Sequence, residues 1–283
     1  MSKRKNSSRT SSPDIEAPPT MAQTPLNNGG FSFATPTEFV ELPSRGIFYP
    51  EGHPLHDSEV VEIKHMTAKE EDILTSEALL KSGLALNRLL QSVLINNKIQ
   101  PDSLLIGDKN AILIAVRQTG FGNVYSTSMS CPACGATSEK DFSLENKELK
   151  ESSLRDDVEL LESGNFLFHD TTYDLEIEIK LLRGRDETRI TKSIERLKKL
   201  KKDPGNVTTM LQNIIVSVNG MKEPAAIRQV VNAMPVALSR KIRNIYDEAM
   251  PNVSMHADFE CDSCSHVDRL EVPINLNFFW PEL

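Results

Sequence analysis

The hydrophobic pattern in the first half of the chain predicts a strand followed by helices. Residues 60–64 alternate between apolar and polar side chains, which is typical of a short strand. Thr67 and Glu70 have the spacing of a capping box, which predicts a helix that runs to about Lys81 and ends at Gly83. A second, amphipathic helix is marked by apolar residues at i, i+3, i+4, i+7 and i+8, namely Leu86, Leu89, Leu90, Val93 and Leu94.

A third helix and two strands follow in this half. Asp108 is placed to cap the helix, and Gly122 is placed to end it. A strand is then predicted over 124–129, leading into the first CxxC pair, and a return strand over 137–144, leaving it.

The second half of the chain repeats this order. A strand over 175–180 precedes a helix that begins near Arg185 and is ended by Asp203-Pro204-Gly205. Residues 210–218 fit a helix, although their β-branched content leaves a strand open. Pro235 suits the first turn of a further helix. The last two predicted strands cover 253–259 and 267–274.

Short matches between the two halves indicate an internal duplication. Residues 62–64 match 178–180 at an offset of 116, and residues 89–94 match 210–215 at an offset of 121. Leu113 matches Leu238 at 125, and Cys131 matches Cys261 at 130. The offsets rise in order, as small insertions in the second copy require. We therefore predict an α+β fold in which a strand–helices–strand–CxxC–strand unit occurs twice.

The composition divides the chain further. The Ser-, Pro-, Thr- and Asn-rich start cannot bury enough apolar surface to offset its ordering entropy, so we predict a disordered N-terminal tail, with Phe31 and Phe33 as candidate anchors. Residues 39–50 are punctuated by two prolines and a glycine and are interpreted as an arm without regular structure. The predicted divisions are a tail (1–36), an extended arm (37–58), a first repeat (59–145), a charged connector (146–172) and a second repeat (173–283).

The overall composition is that of a soluble globular protein, with 39% hydrophobic and 25% charged residues. No apolar run approaches the roughly 18 residues that a membrane helix needs, and the basic start has no apolar stretch behind it as a secretory signal would. A net charge of −8 and a pI of about 5.4 argue against a protein whose main task is to coat nucleic acid. We expect an intracellular protein without a membrane partner.

All four cysteines lie in two CxxC pairs, each flanked by predicted strands. Two thiolates three residues apart can bind one metal ion from the same side, and Gly135 can adopt the positive φ that folds the backbone over the second sulfur. Four thiolates form the closed tetrahedral site of structural zinc, which leaves no position for a substrate. We predict one Zn²⁺ ion shared by the halves, with the ligands Cys131, Cys134, Cys261 and Cys264.

Other interpretations of the cysteines remain open. They could be reduced core thiols or a redox pair, although a thioredoxin-like site has a single reactive CxxC at the start of a helix. Two zinc ions in separate dimer interfaces would also satisfy the counts. His256 and His266 flank the second pair and could replace a ligand.

Two surface features are candidates for interfaces. Basic residues recur over 192–202, which indicates either a solvated helix face or a contact with nucleic acid or an acidic protein. The sequence Phe278-Phe279-Trp280-Pro281 either docks on its own core or anchors a partner. By contrast, no phosphate-binding loop, dinucleotide fingerprint, nucleophile elbow or HExxH motif is found, so we expect a protein that binds and is not an enzyme.

Three segments resemble a phage family: residues 41–50, residues 66–74, and residues 107–125 followed by Cys131-Pro132-Ala133-Cys134-Gly135. They are similar to the baseplate hub and hub-assembly proteins of T-even-type, contractile-tailed bacteriophages. The resemblance covers most of residues 38–145, and the second half matches more loosely. It implies a structural or assembly protein of the tail baseplate, made in the cytoplasm of the infected cell, and it brings no catalytic residues.

These observations lead to two hypotheses. The first is a zinc-stapled scaffold that docks other baseplate and tail proteins, with a homo-oligomer compatible with it. The alternative is a zinc-ribbon adaptor that binds nucleic acid through the basic residues 192–202, which a salt-titrated binding assay would distinguish.

Overall fold

The computed structural model describes residues 24–25, 34–199, 205–272 and 276–279. Most of the predicted tail (1–36), including Phe31 and Phe33, lies outside the described residues. In the described part of the predicted tail, Thr24–Pro25 (β1) pairs antiparallel with Ala34–Thr35 (β2). The described chain is a mixture of helices and antiparallel sheets, as the α+β prediction requires.

The first half has the predicted order of strand, helices and strand pair. Its elements are β3 (Thr37–Glu41), β4 (Val60–Lys64), α1 (Ala68–Thr75), α2 (Glu77–Ser82), α3 (Ala85–Val93), α4 (Ile106–Phe121), β5 (Val124–Ser130) and β6 (Thr137–Ser143). β3 pairs antiparallel with β4, and β5 pairs antiparallel with β6. The prediction of an arm without regular structure is therefore wrong for its first residues, because Phe39, Val40 and Glu41 pair with β4.

The predicted helix from Thr67 to Lys81 is two helices. Ser76 has an extended backbone, with φ −68° and ψ 108°, and this ends α1 and caps α2. The capping box is confirmed: the Glu70 carboxylate accepts a hydrogen bond from the Thr67 amide at 2.9 Å. Gly83 ends α2 as predicted, with φ +70°.

Asp108 does not cap its helix. Leu105 is the N-cap of α4, and Asp108 lies buried in the first turn. Its carboxylate accepts hydrogen bonds from the Ser44 amide (3.0 Å), the Ser44 hydroxyl (2.6 Å) and the Tyr49 hydroxyl (2.8 Å). Burial raises the pKa of Asp108, and these hydrogen bonds oppose that rise. The residue therefore ties the loop after β3 to the central helix.

The predicted connector carries strands of its own: β7 (Lys147–Lys150), β8 (Val158–Leu160) and β9 (Phe166–Asp170). Of the charged residues on these short strands, Glu148, Lys150 and Glu159 are exposed, whereas Asp170 at the end of β9 is buried. The domain boundaries themselves stay a prediction.

The second half contains one helix that the sequence pattern did not predict, α7. The elements are β10 (Leu175–Ile179), α5 (Gly184–Lys199), α6 (Asn206–Ile214), β11 (Ile215–Val218), α7 (Pro224–Ala233), α8 (Val236–Ala249), β12 (Asn252–Glu260) and β13 (Val267–Glu271). Residues 210–218 are helix up to Ile214 and strand from Ile215, so each alternative holds for part of the segment. Residues 203 and 204 of the predicted helix stop lie outside the described residues.

Two larger sheets join the connector to the second half. One has the strand order β11-β10-β9-β8, and the other has the order β13-β12-β7. All pairings in them are antiparallel. Since β7 lies just after the first strand pair in sequence and against β12 in space, the two halves are interleaved.

The buried apolar side chains of both halves form one cluster around α4. Gly107 lies so close to β12 that a Cβ added to it would meet the Pro251 carbonyl oxygen at 2.0 Å, so a side chain at this position would push the halves apart. At the same end of α4, the Lys109 ammonium binds the Glu187 carboxylate of α5 at 2.7 Å. No helix in the described part of the chain is long and apolar enough to span a membrane.

Arg117 joins α4 to the end of the described chain. Its guanidinium is buried and donates to three carbonyl oxygens, those of Phe278 (2.8 Å), Gly122 (3.0 Å) and Val124 (2.9 Å). Phe278 and Phe279 are buried, and the Phe278 ring lies 4.9 Å from that of Tyr125. These two aromatic residues thus dock on the core, whereas Trp280 and Pro281 lie outside the described residues.

The first prediction concerns this arginine. Arg117→Met should lower the free energy of unfolding by about 2–4 kcal/mol, because three carbonyl oxygens, one of them on the buried Phe278, lose a charged donor. Urea unfolding followed by circular dichroism measures the change. Arg88→Met, at an exposed position on α3, is the control and should stay within about 0.5 kcal/mol of the wild type; equal losses in both variants would contradict the assignment.

The second prediction concerns the pH dependence of stability. Burial alone would raise the pKa of Glu70, but hydrogen bonds from Lys64, Ser92 and Thr67 outweigh it and lower the pKa to about 2. Because the pKa is lower in the folded state, the stabilisation is complete above pH 4.5 and is lost as the pH falls towards 2. Glu70→Gln should therefore destabilise the protein at pH 7 by about 1–3 kcal/mol. The difference from the wild type should shrink between pH 4.5 and 2, and a difference independent of pH would contradict it.

Candidate metal centre

The first cysteine pair lies at the tip of the β5–β6 hairpin. The strands pair in continuous register up to Ser130 and Thr137. Across the tip, the Cys131 amide donates to the Ala136 carbonyl oxygen at 2.8 Å, and the Gly135 amide donates to the Cys131 carbonyl oxygen at 2.9 Å. Gly135 has φ +74°, as predicted from its place after the second cysteine.

The second pair has the same turn at the tip of the β12–β13 hairpin. The Cys261 amide donates to the His266 carbonyl oxygen at 2.9 Å, and the Ser265 amide donates to the Cys261 carbonyl oxygen at 2.9 Å. Ser265, which occupies the place of Gly135, has φ +54°. A serine in the left-handed region is strained, so the turn geometry is held here without the residue that adopts it most easily.

The two tips meet. The four sulfur atoms lie within 4.8 Å of one another. Across the halves, the Cys131 Sγ is 3.7 Å from the Cys264 Sγ, and the Cys134 Sγ is 3.6 Å from the Cys261 Sγ. In a regular tetrahedron with Zn–S bonds of about 2.3 Å, the sulfur atoms are about 3.8 Å apart. The two distances across the halves match this spacing, and the four sulfur atoms lie close enough together to hold a metal ion.

The thiols differ in how readily they lose a proton. Hydrogen bonds from the Ser263 and Cys264 amides lower the pKa of the Cys261 thiol to about 6. For Cys264, the His266 amide lowers the pKa, but the neighbouring thiols and burial outweigh it and raise the pKa to about 12. Four thiolates this close repel one another, so a cation is what allows all of them to be charged together.

A second link lies beside the sulfur atoms. The Lys140 ammonium on β6 binds the Asp262 carboxylate, inside the second CxxC turn, at 2.6 Å. Sequence reasoning did not single out this pair, because a lone lysine and a lone aspartate 122 residues apart carry no motif. The contact fixes the first hairpin against the turn of the second.

The other candidates named from the sequence do not join the cluster. Among the described residues, the group placed to hold a metal ion contains the four cysteines and neither His256 nor His266. The His266 ring instead lies 3.8 Å from the Asp268 carboxylate. On the basic segment, Lys192, Arg196 and Lys199 are exposed on α5, while Lys201 and Lys202 lie outside the described residues.

The third prediction tests the contact between the tips without any metal. Mild oxidation of the folded, metal-stripped protein should yield disulfides between the halves, Cys131–Cys264 and Cys134–Cys261, identified by peptide mass mapping. In urea, disulfides within each CxxC pair should replace them, because the shortest loops close most readily. Finding only disulfides within the pairs under both conditions would show that the tips are apart.

Comparison with known proteins identifies the family. Residues 38–280 match the family model described as T4 bacteriophage base plate protein. No match is found among curated proteins or among solved structures. The matched region includes both hairpins and all four cysteines, so the whole two-part architecture falls within one family. The chain belongs to the T4 bacteriophage base plate protein family.

Proposed function

We propose that this protein is a zinc-stapled scaffold of the baseplate hub, which docks other proteins of a contractile phage tail. The family match supports the general part of this proposal, a structural protein of the tail baseplate. The observation that supports the rest is the meeting of four cysteine sulfur atoms from two separate hairpins within 4.8 Å of one another. One ion held there would cross-link the halves and contribute its binding energy to folding. Of the metals that thiolates select, zinc fits a closed site of four sulfur atoms.

The distances across the site support an approximate two-fold axis. Exchanging the halves exchanges Cys131 with Cys261 and Cys134 with Cys264. Under that exchange, the 3.7 Å contact between Cys131 and Cys264 becomes the 3.6 Å contact between Cys261 and Cys134. The two distances agree, as a duplicated unit folded back on itself requires.

Two ion pairs at equivalent positions, each with a buried acid, support the duplication in a region distant in sequence from the cysteines. The Lys64 ammonium binds Glu70 at 2.9 Å, and the Lys180 ammonium binds Asp186 at 2.7 Å. Both members of the second pair lie 116 residues after those of the first, the offset of the strand match. The acids also accept from equivalent amides, of Thr67 at 2.9 Å and of Arg183 at 3.2 Å.

Strand pairing and helix capping follow the same offsets. Ile63 bridges Leu94, and their counterparts at offsets of 116 and 121, Ile179 and Ile215, pair in the second sheet. Leu105 and Pro235, 130 residues apart, cap α4 and α8 with nearly equal backbone angles (φ −61°, ψ 145° and φ −60°, ψ 143°). The caps support a match of Ile242 with Ile112, at the offset of the cysteines, in preference to the sequence match of Leu238 with Leu113.

We propose a binding role and not a catalytic one. The buried acids Glu70, Asp108 and Asp186 each hold lysine, hydroxyl or amide groups of the fold, which supports a structural use of the strongest candidate acids. The nucleic-acid adaptor remains the alternative, and assembly in the host cytoplasm remains an expectation from the family resemblance.

The fourth prediction tests the zinc staple. The purified, reduced wild-type chain should contain one zinc ion per chain by elemental analysis, and Cys131→Ser combined with Cys261→Ser should abolish it. Chelation should lower the melting temperature of the wild type to that of the double variant, because the binding energy is lost from folding. Ser263→Ala, in the same turn with all sulfur atoms kept, should behave as the wild type. A metal-free wild type with full stability would refute the staple.

The scaffold role has its own measurement. The tagged chain, recovered from infected cells, should bring down other baseplate proteins identified by mass. The cysteine double variant should recover fewer of them than Ser263→Ala does, since the cross-link between the two hairpin tips is lost. Recovery of nucleic acid in a salt-sensitive manner, without baseplate proteins, would favour the adaptor instead.

A further inference from the structure

A cleft beside the first turn of α5 concentrates positive charge in a chain whose net charge is −8. Its volume is about 640 Å³. The charged residues that line this basic cleft are one acid, Asp186, and six cations: Lys180, Arg183, Arg185, Arg189, Lys222 and Arg228. Such a surplus of like charge in a concave site attracts anions.

The one acid in the basic cleft, Asp186, already forms ion pairs within the chain. The buried Asp186 carboxylate binds the Lys180 ammonium at 2.7 Å and the Arg189 guanidinium at 3.0 Å. In the part of the chain that the structure describes, the exposed side chains of Arg185, Lys222 and Arg228 form no ion pair. The Arg183 guanidinium donates to the Phe48 carbonyl oxygen at 3.2 Å, so the three exposed cations remain for an external ligand.

The rest of the lining indicates what kind of anion fits. Aliphatic side chains of Ile190, Ile215, Val216 and Ile227 lie among the cations. No aromatic side chain is present among the described residues that line the basic cleft. Single-stranded nucleic acid is usually held by stacking of its bases on aromatic rings. A polypeptide segment that carries both acidic and aliphatic side chains matches this surface better.

The chain itself presents such a segment. β8 is an edge strand, and the shallow surface beside it includes Asp156, Asp157, Glu159 and Glu176, which we call the acidic edge. Asp157 lies 3.4 Å from the Arg155 guanidinium, while Asp156, Glu159 and Glu176 form no ion pair with any described residue. Leu160, on the same strand, is 36% exposed. An unpaired strand edge with exposed acids and an aliphatic residue is available for docking.

The two surfaces flank opposite edges of one sheet. β11, at one edge, contributes Ile215 and Val216 to the basic cleft, and β8 is the strand at the other edge. We propose that the acidic edge of one copy docks in the basic cleft of a second copy, which produces a head-to-tail contact that can be repeated. This inference does not depend on the metal or on the hub assignment.

The contact has a defined salt dependence. Exposed ion pairs are individually weak, so several must act together, and all of them are screened by salt. The basic cleft and the acidic edge lie at different places on each copy, so the contact is heterologous. A dimer therefore keeps one free cleft and one free edge, and further copies can bind to it.

Sedimentation velocity of the full chain tests the proposal. In about 50 mM salt, the mean mass of the wild type should rise with concentration beyond that of a dimer, and in about 500 mM salt the association should weaken at least about tenfold. The cleft variant, Arg185→Gln with Lys222→Gln and Arg228→Gln, and the edge variant, Asp156→Asn with Glu159→Gln and Glu176→Gln, should each be monomeric. Mixed, they should form dimers and nothing larger, since only one cleft and one edge remain in each pair.

A matched control separates the cleft from net charge. Lys69→Gln with Arg88→Gln and Lys98→Gln removes three exposed cations elsewhere and should associate as the wild type does. The proposal is overturned if the wild type is monomeric or stops at a dimer in low salt, or if the cleft variant associates as the control does. It is also overturned if the mixture of cleft and edge variants stays monomeric. A monomeric wild type that binds oligo(dT), with affinity lost in the cleft variant, would identify a phosphate surface instead.

Discussion

The contact between two pairs of sulfur atoms is the constraint on which the two-part architecture depends. Each hairpin alone offers two ligands to a metal ion, and sulfur atoms of the two hairpins contact each other at 3.6–3.7 Å. A closed site of four thiolates is thus a property of the folded chain and of neither half. The ion pair between Lys140 and Asp262 also joins the two hairpins, beside the sulfur atoms.

Around α4, the halves share one hydrophobic core, and their cysteines meet in one cluster. Gly107 lies against the Pro251 carbonyl oxygen, Lys109 reaches Glu187, and β7 pairs with β12. A duplicated unit would explain the similar ion pairs and caps, and the second half packs into the first through shared strands and core. The two halves therefore cannot move as independent bodies without breaking buried contacts.

The features of the fold and of the cysteine cluster that depend on a local sequence pattern were predictable. The CxxC spacing singled out the cysteines as candidate ligands, the segments on either side of each pair were predicted as the hairpin strands, and the apolar spacing predicted α3. Prediction failed where tertiary contacts override local signals. Asp108 has the chemistry of a helix cap, but its partners, Ser44 and Tyr49, are distant in sequence. Ser76 gives no signal strong enough to break a helix, and the charged strands of the connector are fixed by their neighbours. The basic cleft draws on residues from 180 to 228, which no sequence window brings together.

The position of Arg117 has a consequence for the order in which the protein can mature during synthesis. Its guanidinium binds the carbonyl oxygens of Gly122 and Val124, which are made soon after it, but also that of Phe278. Until residue 278 is translated, this buried cation lacks one acceptor, and the first cysteine pair lacks its partner until residue 264. The N-terminal half can therefore complete its native contacts only after translation has passed residues 264 and 278. Until then, the thiols of the first cysteine pair and the guanidinium of Arg117 lack these partners.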